Sequence, residues 1–188
     1  VHIPKTAGTS IYRSLGMTEI QYTHTPARVI RRHYREEFRR YFVFTVVRNP
    51  WDRLVSTFEF LRNGTTWKKQ QRWATHWLGE QSFETFVLRL EDDFRFRNGV
   101  LAEDFFFAQS YFTTDCRGRN LVDRIYRFEA LPAAFAELTQ RFGVAADLTH
   151  ERRSRRRDYR SYYTDRTVAI VERLYAADVR RFGYRFES

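Results

Sequence analysis

The sequence predicts an α/β fold, an open parallel sheet with helices on both faces. In two places an apolar run passes through a polar corner into a helical pattern. The first begins at Val1 and leads into a helix that Gly16 ends, and the second runs from residues 41–47 into a helix that Asn63 and Gly64 end. Alternating strands and helices are typical of parallel sheets, because each crossover needs a connecting helix.

The remaining elements are predicted from apolar spacing and from helix start and stop residues. Thr25 and Pro26 suit the start of a helix that continues to Phe38. Further along we predict short strands at residues 19–23 and 121–128, a helix at 132–142 and a long helix at 165–182. The helical spacing of buried apolar residues supports the last of these.

The chain has 188 residues, of which 43% are hydrophobic and 18% aromatic, and this predicts one folded domain over residues 1–188. Residues 65–120 are predicted as a helical and aromatic insert that shapes an acceptor site; a plain helical subdomain that covers the sheet fits the pattern equally well. Val1 falls inside the predicted first strand, so a longer natural N-terminus is expected. A complete chain would be cytoplasmic, whereas one that lacks an N-terminal segment would be membrane-anchored or lumenal.

The formal net charge of +10 predicts an anionic partner, and nucleic acid, an anionic polysaccharide and a nucleotide all qualify. Only three of the 33 basic residues are lysines, so Lys5 stands out against an arginine background. The single cysteine, Cys116, excludes an intramolecular disulfide and argues against a thiolate metal site.

The first polar corner, residues 4–10 (P-K-T-A-G-T-S), has the composition of an anion-binding loop. It offers backbone N–H groups at a helix start, the positive end of the helix dipole, hydroxyls and one ammonium group. A Walker A loop would place its lysine directly before the hydroxyl residue, whereas Lys5 precedes Gly8. The loop therefore predicts phosphate binding without supporting a nucleoside triphosphatase.

The second corner, residues 48–56 (R-N-P-W-D-R-L-V-S), follows the most apolar stretch of the chain. Arg48 would present a planar guanidinium to a phosphate, and Ser56 could add a hydroxyl from the helix that follows. In a parallel sheet this corner lies beside the opening loop, at the edge where open α/β folds bind ligands.

Residues 4–10 resemble the 5'-phosphosulfate loop of sulfotransferases that use 3'-phosphoadenosine 5'-phosphosulfate (PAPS), in the form seen in the carbohydrate enzymes of sulfotransferase family 2, which act on heparan- and chondroitin-like chains. Residues 48–56 are similar to the 3'-phosphate-binding segment of the same family. Residues 127–131 (R-F-E-A-L) and 182–186 (F-G-Y-R-F) also look like landmarks of its C-terminal part.

The resemblance implies a P-loop-like PAPS sulfotransferase fold and transfer of a sulfuryl group from PAPS to a hydroxyl, rather than an amine, of a carbohydrate-like acceptor. It implies no metal, and no nucleic acid is expected as a partner. Where many members carry Asn-x-Ser, this chain has Arg-Arg-Ser. The residues expected to bind the nucleotide are Lys5, Thr6, Ala7, Gly8, Thr9, Ser10, Arg48, Ser56 and Ser154.

Two catalytic groups follow from this resemblance. Lys5 would stabilise charge that develops on the leaving group, and His24 would act as the general base for the acceptor hydroxyl. A carboxylate such as Glu59 is the main alternative base. Two other classes compete: a P-loop-like nucleotide kinase, and a basic nucleic-acid-binding module suggested by the arginine-rich residues 152–157.

Overall fold

The computed structural model describes residues 1–16, 23–148 and 157–188. It divides into two compact units, which are Val1–Arg48 with Gln109–Arg153, and Asn49–Ala108 with Ser154–Ser188. Within the described residues the protein is mixed α/β and mostly helical, and its sheet has two parallel strands.

The two strands of the first unit are β1 (Phe44–Val47) and β2 (Arg124–Arg127), and Thr45 is in register with Ile125. The pairing begins one residue before β1, since Asp123 N donates to Val43 O at 2.7 Å. Both strands fall inside the predicted runs, and the predicted parallel pairing is present.

The first unit also contains helices α1 (Gly8–Ser14), α2 (Ala27–His33), α3 (Arg35–Arg40), α8 (Gln109–Thr113) and α9 (Leu131–Phe142). Helix α9 starts with Pro132 in its first turn and ends at Gly143, whose φ is 65°, as the start and stop residues predict. The core cluster of this unit joins α1, both strands and α9 and consists of Ile11, Val46, Tyr126, Leu131, Ala134, Phe135 and Leu138.

Two predicted elements of this unit differ from the structure, and a third lies almost wholly outside the described residues. Residues 1–3 are not a strand, although the Val1 nitrogen donates to Phe44 O at 2.8 Å and Thr45 Oγ1 donates to Val1 O at 2.8 Å. The predicted helix from Thr25 to Phe38 begins at Ala27 and is interrupted at Tyr34, where ψ is 58°. The predicted strand at 19–23 lies outside the described residues except for Thr23, which is in a loop.

The second unit is helical within its described residues, with α4 (Pro50–Glu59), α5 (Lys68–Trp77), α6 (Phe83–Asp92), α7 (Phe94–Leu101), α10 (Asp165–Leu174) and α11 (Ala176–Phe182). Aromatic rings pack its core: the centroid of Phe86 lies 5.3 Å from Phe58, 5.8 Å from Phe96 and 5.9 Å from Phe106.

The long helix predicted over 165–182 is two helices in the structure, separated at Tyr175. This residue is buried, and its hydroxyl donates to Phe106 O at 3.0 Å. Burial raises the pKa of Tyr175 to about 12. The apolar spacing continues across the break, so the sequence pattern does not reveal it. None of the helices in the described part of the chain is both long and apolar enough to cross a membrane.

Candidate active site

The loop before α1 has an unusual backbone. Lys5 and Ala7 are the two non-glycine residues with positive φ among those described, at 66° and 68°. Ala7 is the N-cap of α1, and its carbonyl accepts the first helical bond from Ile11 N at 3.1 Å. A left-handed conformation costs an L-residue about 1–2 kcal/mol, and such strain is concentrated at functional sites.

The hydroxyl groups of this loop differ in exposure. Thr6 is 2% exposed, and its Oγ1 donates to Ile3 O at 2.9 Å, so its hydroxyl proton holds the loop together. Ser10 is buried in the first turn of α1, and Thr9 is half-buried. Any contact of Thr6 with a ligand would therefore use its backbone N–H group.

Gly8 allows His2 to pack against the start of α1. A Cβ atom on Gly8 would lie 2.2 Å from both Cδ2 and Nε2 of His2, which is too close for any side chain. The ring of His2 lies edge-on to the ring of His24, with centroids 5.0 Å apart, and to that of Tyr12 at 5.6 Å. Burial raises the pKa of the Tyr12 hydroxyl. His2 therefore packs against both Gly8 of the loop and the half-buried His24, and it links His24 to the loop.

His2 is a residue of this site to which the sequence pattern gave no role. It sits two residues before Pro4, in what reads as an ordinary strand. Its proximity to the predicted loop is the one signal that could have identified it.

Arg48 directly follows β1 and is anchored by Gln109 of α8. Arg48 N donates to Gln109 Oε1 and Gln109 Nε2 donates to Arg48 O, both at 2.8 Å. Gln109 is fully buried, so this reciprocal pair fixes the backbone at the end of the strand. No sequence signal marked Gln109.

The guanidinium of Arg48 is also held in place. Its Cζ lies 3.9 Å from the centroid of the Phe128 ring, and its Nη1 donates to Lys5 O at 3.0 Å. Arg48 is 7% exposed. Two corners that are 43 residues apart in sequence, each predicted to bind phosphate, are therefore in direct contact within one unit.

Asn49 has a structural role in the second unit. Asn49 Oδ1 caps α4 by accepting from Trp51 N at 3.1 Å, and its Nδ2 donates to Arg185 O at 2.9 Å and to Ser188 O at 3.0 Å. The side chain of Asn49 is thereby committed to holding the C-terminal landmark residues.

The other predicted site residues belong to the second unit or lie outside the residues that the structure describes. Ser56 is buried within α4, and Glu59, at the end of that helix, accepts from Asn63 Nδ2 at 3.1 Å. Ser154 lies outside the described residues. The roles assigned to Ser56, Glu59 and Ser154 remain predictions.

The sulfotransferase family model, that of family 2, matches residues 1–185. The chain therefore belongs to the sulfotransferase family, and the resemblance seen in its motifs is confirmed. Membership supports a transferase enzyme with sulfotransferase activity. Searches of curated proteins and of solved structures found no significant match.

Proposed function

We propose that the protein is a PAPS-dependent sulfotransferase that transfers a sulfuryl group to a hydroxyl of a carbohydrate-like acceptor. The observation that carries this proposal is the hydrogen bond from Arg48 Nη1 to Lys5 O. It joins a 5'-phosphosulfate-type loop to a 3'-phosphate-type arginine, and a nucleotide with phosphates at both positions needs that combination.

The residues around this bond suit an anionic nucleotide. Lys5 and Arg48 supply two positive charges, and residues 1–16 contain no aspartate or glutamate. The start of α1 adds backbone N–H groups and the positive end of the helix dipole. Phe128 and Gln109 orient Arg48 in advance, which lowers the entropy cost of binding a phosphate.

PAPS supplies the activated sulfuryl group. Lys5 belongs to the strained loop, and its ammonium stabilises the charge of the leaving group. His24 accepts the proton of the acceptor hydroxyl, and its ring packs edge-on against His2, the side chain that lies beside Gly8. These residues require no metal for their roles.

The proposal extends to the finer features that the sequence predicts. It includes a P-loop-like open sheet in a single domain over residues 1–188, with residues 65–120 shaping the acceptor site. Ser56 and Ser154 contribute further nucleotide contacts, and the acceptor is a glycan or glycoconjugate. The family match supports these features only at the level of sulfotransferase activity.

Calorimetry with 3'-phosphoadenosine 5'-phosphate tests the proposal. We expect micromolar or tighter binding, and weaker binding of the analogue that lacks the 3'-phosphate. Equal binding of the two nucleotides, or none at micromolar concentrations, would contradict it. Preference for a nucleoside triphosphate with Mg²⁺ would indicate a kinase instead, and preference for an oligonucleotide would indicate a nucleic-acid-binding module.

A further inference from the structure

One face of α5, in the second unit, is basic and open to solvent. Lys68, Gln71, Arg72, Thr75 and His76 line a shallow surface depression along this face. The spacing of three and four residues places them on one side of the helix, over about 12 Å from Lys68 to His76.

The opposite face anchors the helix. The ring of Trp73 stacks on Phe106 with centroids 5.4 Å apart, and Trp77 packs 5.9 Å from Phe96. A Cβ on Gly99 would lie 2.0 Å from the Trp77 ring, so α7 also approaches this face closely. The basic face is thus presented on a rigid support.

The charges on α5 are arranged unfavourably for an isolated helix. Lys68 and Lys69, two of the three lysines in the chain, stand in the first turn, where the helix dipole is already positive. That turn has no acidic residue and no side-chain cap, and Lys68 and Arg72 are like charges four residues apart. A bound anion would relieve both repulsions.

The surrounding sequence does not neutralise this face. Residues 60–79 contain no aspartate or glutamate. The acids that border this stretch have other partners: Glu59 accepts from Asn63, and Glu80 pairs with Arg62 at 3.3 Å. The positive charge is therefore available to a ligand from solution.

An aromatic side chain adjoins the same helix end. Trp67 is the N-cap residue of α5 and is 47% exposed, and its backbone N donates to Thr65 Oγ1 at 3.3 Å. Exposed indole rings pack against the apolar faces of sugar rings, since they combine a large apolar surface with a polar edge.

We propose that this basic face of α5, with Trp67 at its start, binds an anionic polysaccharide, a polymer that carries sulfate or carboxylate groups. The identification of this polymer as the acceptor rests on the proposed function. Sulfation makes its own product anionic, so an enzyme that modifies a polymer repeatedly must hold a negatively charged chain. The charge of α5 complements such a chain.

The test measures binding of a fluorescent sulfated heparin octasaccharide to the full chain by anisotropy. One variant combines Lys68→Gln, Lys69→Gln and Arg72→Gln, and the control combines Arg31→Gln, Arg32→Gln and Arg35→Gln on α2 and α3. Both remove three exposed positive charges, and glutamine preserves helix propensity. Thermal unfolding followed by circular dichroism verifies that both variants fold.

We expect the α5 variant to bind the octasaccharide about tenfold more weakly, with a shallower salt dependence, and the control to change by less than about twofold. Equal losses in the two variants, or no loss in the α5 variant, would overturn the inference. Tighter α5-dependent binding of a single-stranded oligonucleotide of equal charge would also overturn it. Binding of 3'-phosphoadenosine 5'-phosphate is measured separately, so a failure of the proposed function is distinguishable from a failure of this inference.

Discussion

Arg48 Nη1 donates a hydrogen bond of 3.0 Å to the backbone oxygen of Lys5, a residue held at a φ of 66°. The bond connects the end of β1 to the turn before α1, so the orientation of the arginine and the conformation of the loop depend on each other. Changes at either position should therefore affect both phosphate corners.

Replacing Arg48 tests the nucleotide assignment. Arg48→Lys keeps the charge but loses the planar guanidinium that reaches both Lys5 O and a phosphate. We expect calorimetry to show binding of 3'-phosphoadenosine 5'-phosphate weakened by about tenfold to a hundredfold, and a clearly smaller loss for the analogue without the 3'-phosphate, because only the disturbance of the Lys5 loop affects both nucleotides. Arg141→Lys is a matched control, because Arg141 also stacks on a phenylalanine, at 3.8 Å from the centroid of Phe42. An equal loss for both nucleotides would count against a 3'-phosphate contact.

Substitutions of Lys5 should separate its role in activity from the effect of its backbone conformation on stability. Both Lys5→Ala and Lys5→Gly remove the ammonium and should abolish sulfuryl transfer in a radiolabel assay. Glycine tolerates positive φ, so urea unfolding should show Lys5→Gly more stable than Lys5→Ala by about 1 kcal/mol. Normal turnover in either variant would refute the catalytic role, and equal stability would show that the turn relaxes around alanine.

Gly8 and His2 should be energetically coupled. Gly8→Ala places a methyl group against the His2 ring and should destabilise the protein by about 1–3 kcal/mol in chemical unfolding. Adding His2→Ala removes the obstacle, so the double variant should lose less stability than the sum of the single losses. Strictly additive losses would mean that His2 does not occupy the space beside Gly8.

His24 should affect turnover rather than nucleotide affinity. His24→Ala removes the proposed base and should lower kcat about a hundredfold or more, while the Kd for 3'-phosphoadenosine 5'-phosphate changes little. His33→Ala, an exposed histidine on α2, is the control. If kcat survives in His24→Ala and collapses in Glu59→Gln, the base is the carboxylate.

Asp115 should make stability depend on acidic pH. It accepts hydrogen bonds from Arg119 N and Arg117 N, both at 2.9 Å, and from Arg119 Nε at 2.8 Å. These contacts, the Arg119 backbone bond foremost, lower the pKa of Asp115 below its usual 3.8. Because the folded-state pKa is depressed, the stabilisation is present above pH 3.8 and is lost as the pH falls through the folded value.

Urea unfolding of Asp115→Asn checks this expectation. The variant should be less stable than the wild type at pH 7, and the gap should narrow as the pH falls below 3.8. Asp147→Asn, at an exposed aspartate of the same unit, is the control. A gap that stays constant from pH 7 to pH 3 would show that the charge of Asp115 contributes nothing.

The sequence by itself predicted the loop that leads into α1, the polar corner after β1, a parallel arrangement of strands and the ends of several helices. These features depend on local chemistry. Asn49 and Pro50 start α4, and Gly143 ends α9, through backbone preferences that act within a few residues. The interruptions at Tyr34 and Tyr175 were not predictable, since apolar spacing is unchanged across a break.

Only the tertiary structure decided how the site residues meet. Arg48 bonds to the backbone of Lys5 and stacks on Phe128, 80 residues further along, and the residues around Arg48 in sequence indicate neither contact. Gly8 serves the packing of His2, which no motif marked. Contacts between residues far apart in sequence depend on how β1, β2 and α1 pack around a shared core. Local sequence patterns do not show which distant residues this packing brings together.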